Sequence, residues 1–438
     1  MTITYDPRHA KYVNEADVRN EMTRVFDVCD DCRRCVDLCT SFPTMFAAID
    51  RHVDHDAGRM TPSQQDQVVD GCFQCKLCYL NCPYTPADHD LAIDFPRLML
   101  RAVAMRHATG QVGIRARITD NVLGHTDLIG KVASRSAPVA NKVVAAAPGS
   151  LVRKALQLTT GVSSERLLPP YARQRFTTWF KRRPRVRIAK RQGRVAVFPT
   201  CVVEYQQPSI GHDLVKVYER NGIECSLVDG ARCCGAPLLH IGDVEQFTKV
   251  AAKNLGAMAS AVRRGKDIVV PQPTCSYVLK QDYTYYVGGA DAELVAAHTY
   301  DAAEYLMKVH KGAGTSLDID FTGQVPTTVT YHAPCHLRAQ NVGLKSRDLL
   351  KLTGAKVTLV QQCSGIDGTW GFRAENAPIS LAIAGKLGEL VRRADGNAVA
   401  GDCHLANIAI AEQTDEEPVH PLQLIARAYG ISEEVVRR

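Results

Sequence analysis

Residues 195–201 read VAVFPTC and residues 328–335 read TVTYHAPC; each is a short β-rich run that ends on a cysteine. The coupling recurs. CSLVDGARCCG (225–235) leads into Cys233 and Cys234 and DIVVPQPTC (267–275) into Cys275, while VTLVQQC (357–363) leads to Cys363 and NAVAGDC (397–403) to Cys403. The same three junctions occur twice, which is an internal repeat. Short strands alternating with longer helical segments imply βαβ units and a parallel sheet. Sites in such a sheet form just beyond the carboxyl ends of the strands, so each copy delivers its thiols to one sheet edge.

Upstream, Cys29, Cys32, Cys35 and Cys39 follow the spacing CxxCxxCxxxC, and Cys72, Cys75, Cys78 and Cys82 repeat it, with Pro83 after the last. Thiolates are the ligands of iron–sulfur clusters. This run places three of them around one cube and sends the fourth to its neighbour, as in bacterial-type ferredoxins. By that rule Cys29, Cys32, Cys35 and Cys82 hold one [4Fe-4S] cluster, and Cys72, Cys75, Cys78 and Cys39 the other. Zinc is the alternative, but it needs two pairs per site and leaves the extra cysteine of each run without a role. Thr40, in place of a proline, follows Cys39; that proline shapes the exit turn and does not ligate.

Composition agrees with metal chemistry. Sixteen cysteines in 438 residues, with no run of 18 apolar residues and no apolar core in the opening MTITYDPRHAKYVNEADVRNEM, predict a cytoplasmic protein whose cysteines bind metal rather than pair as disulfides. Length alone predicts about three units. Residues 1–100 carry 10 basic and 16 acidic residues, 101–194 carry 20 and 3, and the remainder 23 and 27, so the net +7 lies wholly in the middle. There, breakers such as Gly124, Pro138, Pro148 and Pro169 separate short helical patterns, predicting a helical connector. In YARQRFTTWFKRR (171–183), Tyr171, Phe176, Trp179 and Phe180 can share a helical face beside clustered Arg and Lys. That stripe suits an anionic membrane surface, an acidic flavoprotein, or packing on the neighbouring domain. No nucleic-acid motif accompanies the charge, which disfavours nucleic acid as a partner.

Cys233-Cys234-Gly235, with Cys201 upstream and Cys275 downstream, resembles the cysteine-rich CCG domain of heterodisulfide reductases and related oxidoreductases. YHAPCHLRAQNVG, CSGIDGTWGF and DCHLA resemble the same domain in degenerate form. Two ferredoxin motifs followed by two such domains are most similar to the family of the anaerobic glycerol-3-phosphate dehydrogenase C subunit. The resemblance implies an iron–sulfur centre in each CCG domain, used for electron transfer or thiol chemistry. It implies metal ligation by Cys201, Cys233, Cys234 and Cys275 in the first copy and by Cys335, Cys363 and Cys403 in the second. The sequence departs from the full pattern at Val278, Ser364 and Ala406, where paired cysteines would stand. Three thiolates leave one iron open or recruit His336, His404 or Ser364. Cys225 has no counterpart in the second copy and reads as a buried small hydrophobe. His332 and His336 flank Cys335, where they could tune a cluster or serve the strand-to-helix turn. Gly235, Gly365 and Gly368 are expected to allow a tight turn or close backbone approach to a cofactor.

The expected fold class is α + α/β: a helical ferredoxin-like domain with two [4Fe-4S] clusters over 1–100, a basic helical connector over 101–193, a first CCG module over 194–318 and a second, degenerate one over 319–438. The expected function is an iron–sulfur electron-transfer subunit that passes electrons from a flavoprotein dehydrogenase through two cubanes to one or two further centres in the CCG modules, and then to a membrane quinone. The flavin belongs to the partner, because no strand-associated GxGxxG is present. The expected location is cytoplasmic, with peripheral contact to the cytoplasmic face of a membrane. The rival reading is a heterodisulfide-reductase-like catalyst reducing a disulfide or peroxide at the incompletely ligated second site, with Cys335, Cys363, Cys403 and His336 as its catalytic residues.

Overall fold

The computed structural model describes residues 5–431; the first four residues of the opening stretch and the last seven of the second module lie outside it. The chain is mainly helical with two small parallel sheets, an α + α/β architecture. It divides into two compact units. One comprises the residues up to Asp120 together with Pro237–Phe247, and the other comprises Asn121–Ala236 and Thr248 onward.

The N-terminal unit is built on the helices Glu15–Cys32, Ser41–Ile49, Pro62–Asp70 and Phe95–Ala108, the last of which runs through residue 100. Asn14 caps the first of these, its side chain accepting from the Asp17 N–H. That helix buries Val18, Met22, Val25 and Phe26, an i, i+4, i+7, i+8 face. Phe42 and Phe95 stack in the same core, with ring centroids 4.6 Å apart.

The first sheet contains β1 (Gly193–Val197), β2 (Ile223–Leu227), β3 (Asp267–Val270) and β4 (Thr299–Asp301), in the order β2-β1-β3-β4, all parallel. The second contains β5 (Thr328–His332), β6 (Lys356–Val360) and β7 (Ala398–Gly401), in the order β6-β5-β7, also parallel. The central strand of each sheet thus precedes the first cysteine of its copy. Val195, Ala196, Val197 and Phe198 are all fully buried, the continuous apolar run of a strand covered on both faces. Among the described residues β4 has no counterpart in the second sheet. Both sheets feed one apolar core, in which Val197 and Leu214 of the first module join Tyr331 and Leu422 of the second. Cys225 sits within β2 and packs against that core, as a small hydrophobe would.

The connector is helical, and its aromatic stripe turns inward. Phe176, on the helix Phe176–Arg182, is fully buried in the core just described, with Trp179 and Phe180 packed beside it. Trp179 stacks on His212 at 3.9 Å, and Arg183 lies 3.8 Å over the Phe180 ring while pairing with Glu219. Gly211 makes room for this packing, since a Cβ there would lie 2.5 Å from the Phe176 ring. Of the three surfaces the stripe could have served, it serves the neighbouring domain, because burying Phe176 and partly covering Trp179 and Phe180 outweighs exposing all three.

Candidate metal centres

The cysteines gather into three groups, and in each the local backbone explains how. In the N-terminal unit, Cys29 and Cys32 occupy the last turn of Glu15–Cys32, which Arg33 ends in a left-handed conformation (φ 46°). The exiting chain then carries Cys35 back toward them. Burial pushes the Cys29 thiol up, and Cys35, Cys82 and Cys32 add to the effect, so these four are mutual neighbours. Cys35 is pushed up to about 11, by burial first and then by Cys82, Cys32 and Cys39. Cys29, Cys32, Cys35, Cys78 and Cys82 line one pocket, walled by Phe42 and Phe95.

Cys78 is fully buried and pushed up by burial, then by Cys75, Cys72, Cys39 and Cys35. Cys39 is also raised by burial, against hydrogen bonds from the Ser41 N–H and hydroxyl and the Phe42 N–H. Cys82 therefore lies near Cys29, Cys32 and Cys35, and Cys39 lies near Cys78 and also near Cys35 of its own run. Two residues that spacing did not single out hold this region. Gln74 and Lys76 are buried with φ of 57° and 64°; the Gln74 amide donates to Cys72 Sγ at 3.3 Å, and Lys76 Nζ donates to Gln74 Oε1 at 2.6 Å. Hydrogen bonds to ligand sulfurs are a principal means of tuning an iron–sulfur centre.

In the first module, Cys201 starts a five-residue helix just after β1, Cys233 and Cys234 follow β2, and Cys275 follows β3. Thr200 is strained at φ 50° and accepts a bond from the Val203 N–H, which aims Cys201 into the site. The four thiols touch in series. Hydrogen bonds from Cys201 and Cys234 hold the Cys233 thiol well below its usual range, with further help from the Gly235 N–H. Cys234 is raised by its contacts with Cys233 and Cys275. The Cys233–Cys234 loop is tied down from behind, where Asn254 Nδ2 donates to the Cys233 carbonyl at 3.1 Å and Tyr283 donates to the Cys234 carbonyl at 2.9 Å.

Asp127, on the connector helix Thr126–Arg135, accepts the Cys233 N–H at 2.9 Å and the Tyr205 hydroxyl at 3.3 Å. Burial raises its carboxyl, and Cys233 adds to the shift. Gly130, one turn on, lies against the Tyr205 ring, where a Cβ would meet it at 2.4 Å. The connector thus forms part of the first thiol site. Three acidic residues scattered through a basic stretch carry no signal from which this could be read.

In the second module, Cys335 starts a short helix after β5, Cys363 follows β6 and Cys403 follows β7. All three line a cavity of about 420 Å³ together with Thr274, His336, Ser364 and Asp367. His336 Nδ1 lies 3.2 Å from Thr274 Oγ1 and 3.8 Å from Cys335 Sγ. His332 is buried, lies 2.9 Å from the Gln362 carbonyl, and is pushed down to about 4 by burial. Cys403 is pushed up to about 11 by burial, with Asp367 and Cys275 adding to it. His404, also named as a donor by sequence, is absent from the residues lining this cavity.

The two module sites adjoin through residues 272–276. Gln272 Oε1 accepts the His404 N–H at 3.1 Å, Thr274 meets His336, and Gln340 Nε2 donates to Ser276 Oγ at 3.0 Å. The glycines play matching parts: the Gly235 N–H points to Cys233, and the Gly365 N–H donates to Cys363 Sγ at 3.3 Å. Both have positive φ (88° and 70°), and at Gly365 a Cβ would lie 2.4 Å from the Ser380 carbonyl. Gly368 (φ 55°) closes the turn after Asp367.

The residues present fit iron–sulfur chemistry, with eight thiols in the N-terminal unit and four at the strand ends of the first module. The second module has three thiols plus oxygen and nitrogen donors.

Comparison with known proteins agrees. The cysteine-rich domain family matches residues 195–280 and 329–408, which is the internal repeat. The C subunit of anaerobic glycerol-3-phosphate dehydrogenase from Escherichia coli (strain K12) is 30% identical over 402 residues, 83% of this chain and 99% of that protein. The B subunit of the CoM/CoB fumarate reductase from Methanothermobacter marburgensis is 27% identical over 249 residues, 54% of this chain and 47% of that one. Lactate utilization protein A of Bacillus pumilus is 25% identical over 246 residues, 53% of this chain and 97% of that one.

Proposed function

The chain belongs to the family of the anaerobic glycerol-3-phosphate dehydrogenase C subunit, and from that premise we propose that it is the iron–sulfur electron-transfer subunit of a larger oxidoreductase. Its donor is a flavoprotein subunit and its final acceptor a membrane quinone. The observation that carries this reading is the nearness of thiols from different runs, Cys82 to Cys29 and Cys39 to Cys78, which crossed ligation of two clusters would require. The bound groups would be two [4Fe-4S] clusters and a further centre in the first module, supplying one-electron carriers. Cys29, Cys32, Cys35 and Cys82 would hold one cluster, Cys72, Cys75, Cys78 and Cys39 the other, and Cys201, Cys233, Cys234 and Cys275 the third centre. Domain limits at residues 100, 193 and 318 would separate the two-cluster domain, the connector and the two modules. The rival reading, disulfide or peroxide reduction at Cys335, Cys363, Cys403 and His336, has the cavity beside those residues in its favour.

The test is reconstitution. With the flavoprotein that co-purifies with it, the chain should couple oxidation of that partner's substrate to quinone reduction, and Cys201→Ser should stop quinone reduction while the N-terminal centres still become reduced. Disulfide reduction without any flavoprotein would decide for the rival.

Quinone access requires a membrane surface. Among the described residues no helix is long and apolar enough to cross a membrane. The connector helices Thr126–Arg135, Ala137–Val144 and Leu151–Thr160 instead expose Leu128, Val132, Val139, Leu151 and Leu158 among Arg135, Lys142 and Lys154. Apolar side chains flanked by cations are what an anionic bilayer surface binds. Sedimentation with anionic vesicles at low salt should fall at least severalfold for Leu151→Glu/Leu158→Glu, with cluster content unchanged. Equal sedimentation of wild type and variant would remove the membrane from the proposal.

A further inference from the structure

We infer that the Asp367 carboxylate takes the place of a missing thiolate as an iron ligand in the second cysteine module. The inference rests on the reading that this copy carries an iron–sulfur centre, and it concerns only how the chain completes the ligand set.

The first module brings four thiols together. The second, with the same strand order, brings three, because Ser364 stands where the first has Cys234. A four-iron cluster held by protein alone closes on four donors, so one must come from elsewhere. The oxygen and nitrogen side chains lining the cavity are Thr274, His332, His336, Gln362, Ser364 and Asp367; His332 is turned to the Gln362 carbonyl at 2.9 Å, and the neutral hydroxyl of Thr274 and amide of Gln362 are weak donors to iron, which leaves Ser364, His336 and Asp367. Cys335 Sγ, a ring nitrogen of His336 and a carboxylate oxygen of Asp367 all lie within 4.8 Å of one another.

Chemistry separates the three. A serine hydroxyl has to lose a proton before it binds as an anion, whereas a carboxylate is already charged at neutral pH and suits iron. The His336 nitrogen nearest Cys335 also faces Thr274 Oγ1 at 3.2 Å, and the ring packs against Tyr277 at 5.5 Å, which makes His336 a positioning residue beside the thiolate.

The backbone favours the same residue. Asp367 adopts φ 35°, uncommon for a residue with a side chain, between Gly365 and Gly368, which are also left-handed. The same turn gives Cys363 Sγ its bond from the Gly365 N–H. One strained loop thus brings a thiolate and a carboxylate into the cavity that Cys335 and Cys403 also line. The CSGIDG segment has Ser364 where the first copy has its second thiol, and holds a carboxylate three residues further on.

Full-length protein, purified and reconstituted anaerobically, provides the test by iron and sulfide analysis and electron paramagnetic resonance. Asp367→Ala should lose about one iron per chain at unchanged sulfide and, when oxidised, show the signal of a three-iron centre held by three thiolates. Asp367→Cys should keep the wild-type iron count and release iron to EDTA more slowly than wild type. If Asp367→Ala loses the whole centre, Asp367→Cys decides, with retention supporting the ligand role and loss overturning it. Wild-type iron and spectrum in Asp367→Ala would overturn the inference while leaving the second centre in place. No loss of iron in Cys335→Ser would mean that the second module holds no such centre, and the inference would fall with that reading.

Discussion

Cys82→Ser will deplete the same iron–sulfur centre as Cys29→Ser, and Cys39→Ser the same centre as Cys75→Ser, although each serine replaces a residue in the opposite half of the sequence motif. Each variant should lose about four of the roughly eight N-terminal irons, with matching sulfide. Transfer from the flavoprotein to the acceptor should stop in all four. The basis is which thiols act on one another: Cys35, Cys82 and Cys32 on Cys29, and Cys75, Cys72, Cys39 and, last, Cys35 on Cys78. Spin coupling between the two reduced clusters should vanish in every variant, and the surviving signal should sort Cys82 with Cys29 and Cys39 with Cys75. If Cys82→Ser instead leaves the signal that Cys75→Ser leaves, each run holds its own cluster and the crossed arrangement is wrong.

The largest effect on stability is expected at Arg166. Its side chain is fully buried and pairs at 2.9 Å with Glu412, itself only 8% exposed, whose carboxylate also accepts the Leu167 N–H at 2.7 Å. Arg153, equally buried, donates to the Arg166 and Ser163 carbonyls at 2.7 and 2.8 Å. Residues 161–167 are thereby stitched to the second module, where Ser163 and Ala374 add backbone bonds to Phe372 and Gly161. Removing one partner of a buried pair strands the other charge, so Arg166→Met should cost about 3–5 kcal/mol in urea unfolding. Arg166→Met/Glu412→Leu should recover most of that loss, because two apolar side chains leave no buried charge. A loss below about 1 kcal/mol in the single variant would place the pair in the class of exposed ion pairs.

Neither Arg166 nor Asp127 stands out in the sequence. Arg166 lies in GVSSERLLPP, which reads as a polar loop, and Asp127 is a lone acid amid basic residues. Both matter through partners far along the chain, Glu412 and Cys233, and no local pattern encodes a pairing across such separations. The aromatic stripe of the connector shows the complementary limit. Periodicity located the face formed by Phe176, Trp179 and Phe180, but an apolar face looks the same whether membrane, partner or neighbouring domain covers it.

Residue order alone carries the elements whose information is local: the doubled CxxCxxCxxxC runs, the strand-to-cysteine junctions and their repetition in two parallel sheets. Spacing of a few residues fixes which thiols can reach one metal, and short apolar runs ending at Pro or Gly fix where strands stop. Tertiary structure alone decided the rest. It set Asp127 against the first thiol site, joined the two module sites through residues 272–276, left His404 out of the second cavity and placed Asp367 within it. Those choices depend on which loops the folded sheets bring edge to edge, and that follows from burying one shared core rather than from any order of residues along the chain.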